Sequence, residues 1–71
     1  MLAENIKKLR IKKELSQEKL ARLADISNNT LIKIETGMAK EPTITTVTKI
    51  ADALGVSIDE LVGRKLNKKN R

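Results

Sequence analysis

The sequence predicts an all-α domain of five short helices, with the second and third forming a helix-turn-helix. Three observations carry that prediction. Apolar residues recur at three- and four-residue spacings with no run of strict alternation. Ser, Thr, Gly and Asp stand where those stripes begin and end. Residues 17–36, QEKLARLADISNNTLIKIET, place Leu20, Ala21, Ala24, Ile26, Leu31 and Ile34 at the offsets two crossing helices need, with the small Ala21 at the close approach.

The elements follow in order. Leu2, Ile6 and Leu9 give a first amphipathic helix from about 2 to 13. Glu14 stands where that helix must end, and either accepts left-handed geometry or makes the helix end differently. Leu15 is apolar and plugs the core between helices. Ser16 caps a second helix over 17–24, with Lys19 where a Glu would complete the reciprocal cap. Asp25 can take the left-handed geometry of the turn. Ser27 caps a third helix over 28–36, which Gly37 stops. Residues 37–42, GMAKEP, form a loop in which Pro42 holds Glu41 out of helical geometry. Thr43 caps a fourth helix with the stripe Ile44, Val47, Ile50, Ala51 and Leu54, ended by Gly55. Ser57-Ile58-Asp59-Glu60 is a full capping box that opens a short fifth helix running to about Val62. Residues 1–63 therefore read as one domain, and 64–71 as a basic tail expected to be disordered.

Composition bounds the function. Seventy-one residues allow one domain, and a chain this short buries only about 60% of its unfolded surface. Without Cys or His, disulfides, thiolate metal sites and the commonest general base are absent, so no metal and no cofactor is expected. Without Phe, Tyr or Trp the chain lacks the rings on which single-strand binders stack bases. Scattered Ser, Thr and carboxylates with no glycine-rich loop do not assemble an active site, so the chain reads as no enzyme. Short apolar runs and the lack of a signal peptide point to a cytoplasmic, nucleoid-associated protein away from the membrane.

Charge is informative through its location. The formal net charge is +6. Residues 1–62 hold 10 Lys+Arg against 9 Asp+Glu, and the last nine residues, GRKLNKKNR, hold five more Lys+Arg. Lys7, Lys8, Arg10, Lys12 and Lys13 form a second basic stretch on the first helix. Both segments suit salt-sensitive contact with phosphate, although basic surfaces also serve solubility.

The ordered segments NIKKLR, LSQEKLARLADIS, NNTLIKIETG and EPTITTVTKIADALGVSIDEL resemble the lambda-repressor, Cro and Xre family of helix-turn-helix regulators across about residues 2–62. The resemblance implies a compact five-helix, lambda-repressor-like DNA-binding domain. It also implies a sequence-specific transcriptional regulator, most simply a repressor on a palindromic operator, with double-stranded DNA as partner. Gln17 matches the residue that bonds phosphate and braces the recognition helix. Asn28, Asn29 and Lys33 match positions that face base edges. Asn pairs bidentately with adenine, and Lys donates to guanine. Ser27 and Thr30 open that helix, and Thr30 could bond phosphate or rest its methyl on thymine. Gly37 and Lys40 match a phosphate-gripping loop. Ile32, where the family keeps a polar residue, could pack on thymine methyl groups.

Arg10 and Glu35 match a pair that bridges the first and third helices, a structural role first. Family members usually carry Gly at position 14, so Glu14 departs from the pattern. A homodimer, at least on DNA, is expected, with Leu61, Val62 and Leu66 as its interface. Leu61 and Val62 would otherwise finish the monomer's own core. The competing function is the antitoxin of a toxin–antitoxin pair, with a small protein partner and autoregulation of its operon.

Overall fold

In the computed structural model the chain is described at residues 2–39 and 42–62, and these form five α-helices. They are α1 (Leu2–Lys12), α2 (Gln17–Leu23), α3 (Asn28–Glu35), α4 (Ile44–Leu54) and α5 (Ile58–Val62). Helix α1 packs on α3 and α5, α2 packs on α3 and α4, and α4 packs on α5. The two helices of the helix-turn-helix thus cross each other while α1 and α4 support them from behind.

The starts of α2 to α5 are fixed locally. The side-chain oxygens of Ser16, Ser27, Thr43 and Ser57 accept from the backbone N–H three residues on, at 3.0, 3.0, 3.2 and 3.0 Å. Glu60 reciprocates at α5 by accepting from the Ser57 N–H at 3.1 Å, which completes the capping box.

The ends of α1, α2 and α4 obey one rule. After α1, Glu14 is left-handed (φ 58), its N–H bonds the Ile11 carbonyl at 2.9 Å, and the Leu15 N–H bonds the Arg10 carbonyl at 3.0 Å. After α2, Asp25 (φ 58) and Ile26 repeat this on Arg22 and Ala21. After α4, Gly55 (φ 73) and Val56 repeat it on Asp52 and Ala51. All three are Schellman endings, each followed by an apolar residue (Leu15, Ile26, Val56) packed against the core. The next residue is the Ser that caps the following helix. Left-handed residue, apolar plug and Ser cap therefore make a complete three-residue connection, used three times.

Glu14 thus accepts the left-handed conformation. A non-glycine residue is strained there, whereas Asp tolerates it through its short polar side chain. Glu14→Gly should therefore raise the unfolding free energy by roughly 0.5–1 kcal/mol. Asp25→Gly should change it little. Urea unfolding of the two variants separates them, and equal effects would contradict the strain at Glu14.

The core is aliphatic. Ile6, Leu20, Ala21, Ala24, Leu31, Ile34, Val47, Ile50, Ala51, Leu54 and Leu61 are buried, with Leu2, Leu9, Leu15, Ile26, Val56 and Ile58 packed around them. Two sequence expectations are corrected. Ile44, assigned to the α4 stripe, is 68% exposed, because the first residue of α4 overruns the packed part of the helix and the buried stripe begins at Val47. Leu61, assigned to a dimer interface, is fully buried in the monomer between α1 and α4. Its side chain has no surface left for a partner. Val62 keeps 38% of its surface, and Leu66 lies outside the described residues.

Candidate nucleic-acid interface

Helix α3 turns Leu31 and Ile34 into the core and, at its last residue, buries the Glu35 side chain. At 100° per residue, the direction opposite Leu31 and Ile34 is occupied by Asn29, Lys33 and Thr36, with Asn28 and Ile32 on one flank and Thr30 on the other. Asn28, Asn29, Lys33 and Thr36 are exposed, and Ile32 and Thr30 are half-buried. The outward stripe therefore carries two amides, an ammonium and a hydroxyl. These are donors and acceptors of the length that reaches base edges in a major groove.

Position 36 was not singled out from the sequence. The signal was there, since Thr36 lies three residues past Lys33 and seven past Asn29. Its hydroxyl donates to the Lys33 carbonyl at 3.2 Å as the helix ends. That bond turns the hydroxyl toward the backbone.

The start of the helix is a small hydroxyl relay. Ser27 Oγ accepts from the Thr30 N–H at 3.0 Å and lies 2.7 Å from Thr30 Oγ1, to which it donates. Ser27 is thereby consumed as the cap. Thr30 accepts from Ser27 and retains its own hydroxyl proton for an outside acceptor. At the other end, Gly37 is left-handed (φ 83), with its N–H on the Ile34 carbonyl at 3.1 Å and the Ala39 N–H on the Lys33 carbonyl at 3.0 Å. Among the described residues beyond its chain neighbours, nothing lies within 4 Å of where a Gly37 Cβ would stand, so conformation and not space calls for glycine. Lys40 lies outside the described residues.

Beneath the helix lies the one ion pair found among the described residues. Arg10 Nε donates to Glu35 Oε2 at 2.7 Å and Arg10 Nη2 to Oε1 at 3.1 Å. Arg10 Nη1 donates to the Leu15 carbonyl at 2.8 Å, which ties the α1–α2 junction to the same guanidinium. Gln17 Nε2 donates to Glu35 Oε1 at 3.0 Å. The Glu35 side chain is 2% exposed and that of Arg10 12%. One carboxylate thus collects donors from the first residue of α2 and the last turn of α1, and it stands at the end of α3. The angle of the reading helix is set by charge-assisted bonds as well as by packing. With one amide hydrogen on Glu35, Gln17 retains a second for an outside acceptor.

A short helix pinned on its inner side, offering amides and lysine outward, and crossed by a capped partner helix defines a helix-turn-helix DNA-binding domain. Residues 6–61 match the family described as helix-turn-helix. The chain is 42% identical over 64 residues, covering 90% of each protein, to the SPbeta prophage-derived uncharacterized HTH-type transcriptional regulator YopO of Bacillus subtilis (strain 168). It is 37% identical over 62 residues to the cryptic phage CTXphi transcriptional repressor RstR of Vibrio cholerae, covering 87% of this chain and 55% of that one. A 40% match to the SPbeta prophage-derived regulator YonR of Bacillus subtilis covers 87% and 56%. The chain thus spans about half the length of RstR and YonR.

Among solved structures, the hydroxypropylphosphonic acid epoxidase from S. wedmorenis superposes with a TM-score of 0.75 at 33% identity, over 84% of this chain and 31% of that one. The shared part is under a third of the epoxidase, and its chemistry does not transfer with the fold. The chain belongs to the helix-turn-helix family of DNA-binding transcriptional regulators. No helix among the described residues is long and apolar enough to cross a membrane.

Proposed function

We propose that the chain is a sequence-specific repressor that binds a palindromic double-stranded operator as a dimer. The observation that carries this reading is the outward stripe of α3, with Asn29 and Lys33 exposed on a helix whose inner side is held by Leu31, Ile34 and Glu35. RstR, a relative named as a transcriptional repressor, favours the negative sign of regulation. One helix of eight residues reads only a few base pairs, so useful specificity calls for two copies on half-sites about one helical turn apart.

In this reading Asn28, Asn29 and Lys33 address base edges. The free hydrogens of Gln17 and Thr30, together with Gly37 and Lys40, address phosphate. Ile32, beside Asn28, offers its exposed part to thymine methyl groups. The five Lys+Arg of the tail add affinity that falls steeply with salt. Ser27 contributes by building the start of the helix.

Selection of bound duplexes from a random pool, followed by footprinting, tests the proposal. The expected result is a two-fold symmetric motif protected over both half-sites. Asn29→Ala and Lys33→Ala should each weaken the selected site by about 1–3 kcal/mol while leaving binding to unrelated duplex nearly unchanged. Ile32→Ser should reorder the selected sites at A/T positions. A pool with no enriched motif overturns the reading.

A further inference from the structure

Thr36 lies on the outward stripe of α3 without a part in the contacts proposed for Asn28, Asn29 and Lys33. Its backbone is still helical (φ −88, ψ −4), and its N–H bonds the Ile32 carbonyl at 2.9 Å, so the rotation of α3 carries on to it. At 100° per residue its position falls within about 10° of the direction opposite Leu31 and Ile34. The residue is exposed and stands about 10 Å beyond Asn29 along the axis. Half-buried Ile32, four residues earlier, is its neighbour on the helix surface.

A threonine carries a hydroxyl and a methyl on Cβ, and here the two have different fates. The hydroxyl proton goes to the Lys33 carbonyl at 3.2 Å, the back-bond Thr makes to the preceding turn. No hydroxyl proton remains for a phosphate oxygen, which can only accept. What the side chain still offers outward is its methyl group. In the major groove the complement of a methyl is the 5-methyl of thymine. Helix α3 is only eight residues, about 12 Å, so its last turn stays within a groove of similar width.

We propose that Thr36 is a specificity residue that packs its methyl group on the 5-methyl group of a thymine. With α3 along the groove, that thymine lies about two base pairs beyond the one offered to Ile32, since four residues rise about 6 Å and a base pair about 3.4 Å. The assignment rests on α3 being the recognition helix and adds one position to what it reads.

Fluorescence anisotropy on the duplex selected by the wild-type chain tests it. Each thymine of one half-site is replaced in turn by deoxyuridine, which removes the 5-methyl and keeps the base pair. Thr36→Ser keeps the hydroxyl and loses the methyl, whereas Thr36→Val does the reverse. Thr36→Ser should weaken binding about fourfold per half-site, the worth of one buried methyl-sized group, and Thr36→Val should stay within about twofold of the wild type. One deoxyuridine replacement should weaken the wild-type chain about fourfold and leave Thr36→Ser unaffected, because the contact it removes is already gone. Ile32→Ala should remain sensitive to that replacement, which gives the thymine to position 36. Melting followed by circular dichroism separates a lost contact from lost folding, and the pairing of Thr36→Ser with deoxyuridine decides the matter even where Thr36→Val melts early.

Thr36→Ser binding as tightly as the wild type overturns the assignment. So does a half-site in which no thymine distinguishes the two chains. A weak Thr36→Val beside an intact Thr36→Ser also overturns it and gives the contact to the hydroxyl oxygen as an acceptor. A pool with no enriched motif removes this assignment together with the repressor reading, whereas an enriched motif indifferent to Thr36 removes this assignment alone.

Discussion

Glu35→Ala should cost about 3 kcal/mol of folding stability, the low end for breaking a buried ion pair from one side. The low end applies because the Arg10 side chain keeps 12% of its surface and can turn partly to water once released. Three donors lose their acceptor in this one substitution: two from Arg10 and one from Gln17. The penalty is chiefly that of leaving a guanidinium desolvated, so it should largely vanish when Arg10 is removed as well. Arg10→Met/Glu35→Leu should therefore be more stable than Glu35→Ala. For a domain of this size 3 kcal/mol lowers the melting temperature by roughly 12–24 °C. Urea unfolding with an unchanged m-value checks the sign and the non-additivity together. The double variant should fold yet read DNA poorly, because the bonds that set the pose of α3 are gone. A double variant that loses as much stability as the two single variants combined would make the pair an ordinary surface contact.

The features of this fold that were legible in the sequence are those decided within a few residues. A Ser or Thr cap needs only the N–H three residues on, so Ser16, Ser27, Thr43 and Ser57 could be assigned without knowledge of the tertiary structure. Gly55 and Asp25 end helices for equally local reasons. Glu14 could not be settled in that way. Local preference opposes a left-handed Glu, and what holds it there is the packing of Leu15 and the bond from Arg10 to the Leu15 carbonyl. Periodicity showed which side of α4 and α5 is apolar, but not how far the neighbouring helices extend along it. Ile44 was therefore placed inside, where it is 68% exposed, and Leu61 was left open between a dimer contact and the monomer's own core, in which it is buried.

The same limit applies at the candidate interface. The polar stripe of α3 could be read directly, because only the rotation of one helix was needed. The Arg10–Glu35 pair was visible only through resemblance, since its partners lie 25 residues apart. The direction of the Gln17 amide depends on how α2 crosses the end of α3, which spacing does not determine. Thr36 went unremarked because a residue at a helix end reads first as a terminator.

Leu31→Ala should bring the second large effect, a loss of about 2–5 kcal/mol from removing a fully buried side chain. Few domains of this size have more than 5–10 kcal/mol to lose, so much of the population should unfold at modest temperature. Helix α3 is eight residues long, well below the length at which a helix persists alone in water. Its helicity is therefore supplied by Leu31 and Ile34 on the core and by Glu35 beneath it. Loss of Leu31 should remove the reading surface by melting it, although Leu31 itself is fully buried. Lys33→Ala is the contrasting case, with an unchanged melting temperature and weakened DNA binding. Saturating selected duplex should recover part of the Leu31→Ala loss by mass action, about 2.7 kcal/mol at a hundredfold excess over the dissociation constant. Thermal denaturation followed by circular dichroism, with and without duplex, measures both quantities. A Leu31→Ala domain that melts within a few degrees of the wild type would mean that α3 stands without its core anchor, and the pinned-helix account of recognition would fall with it.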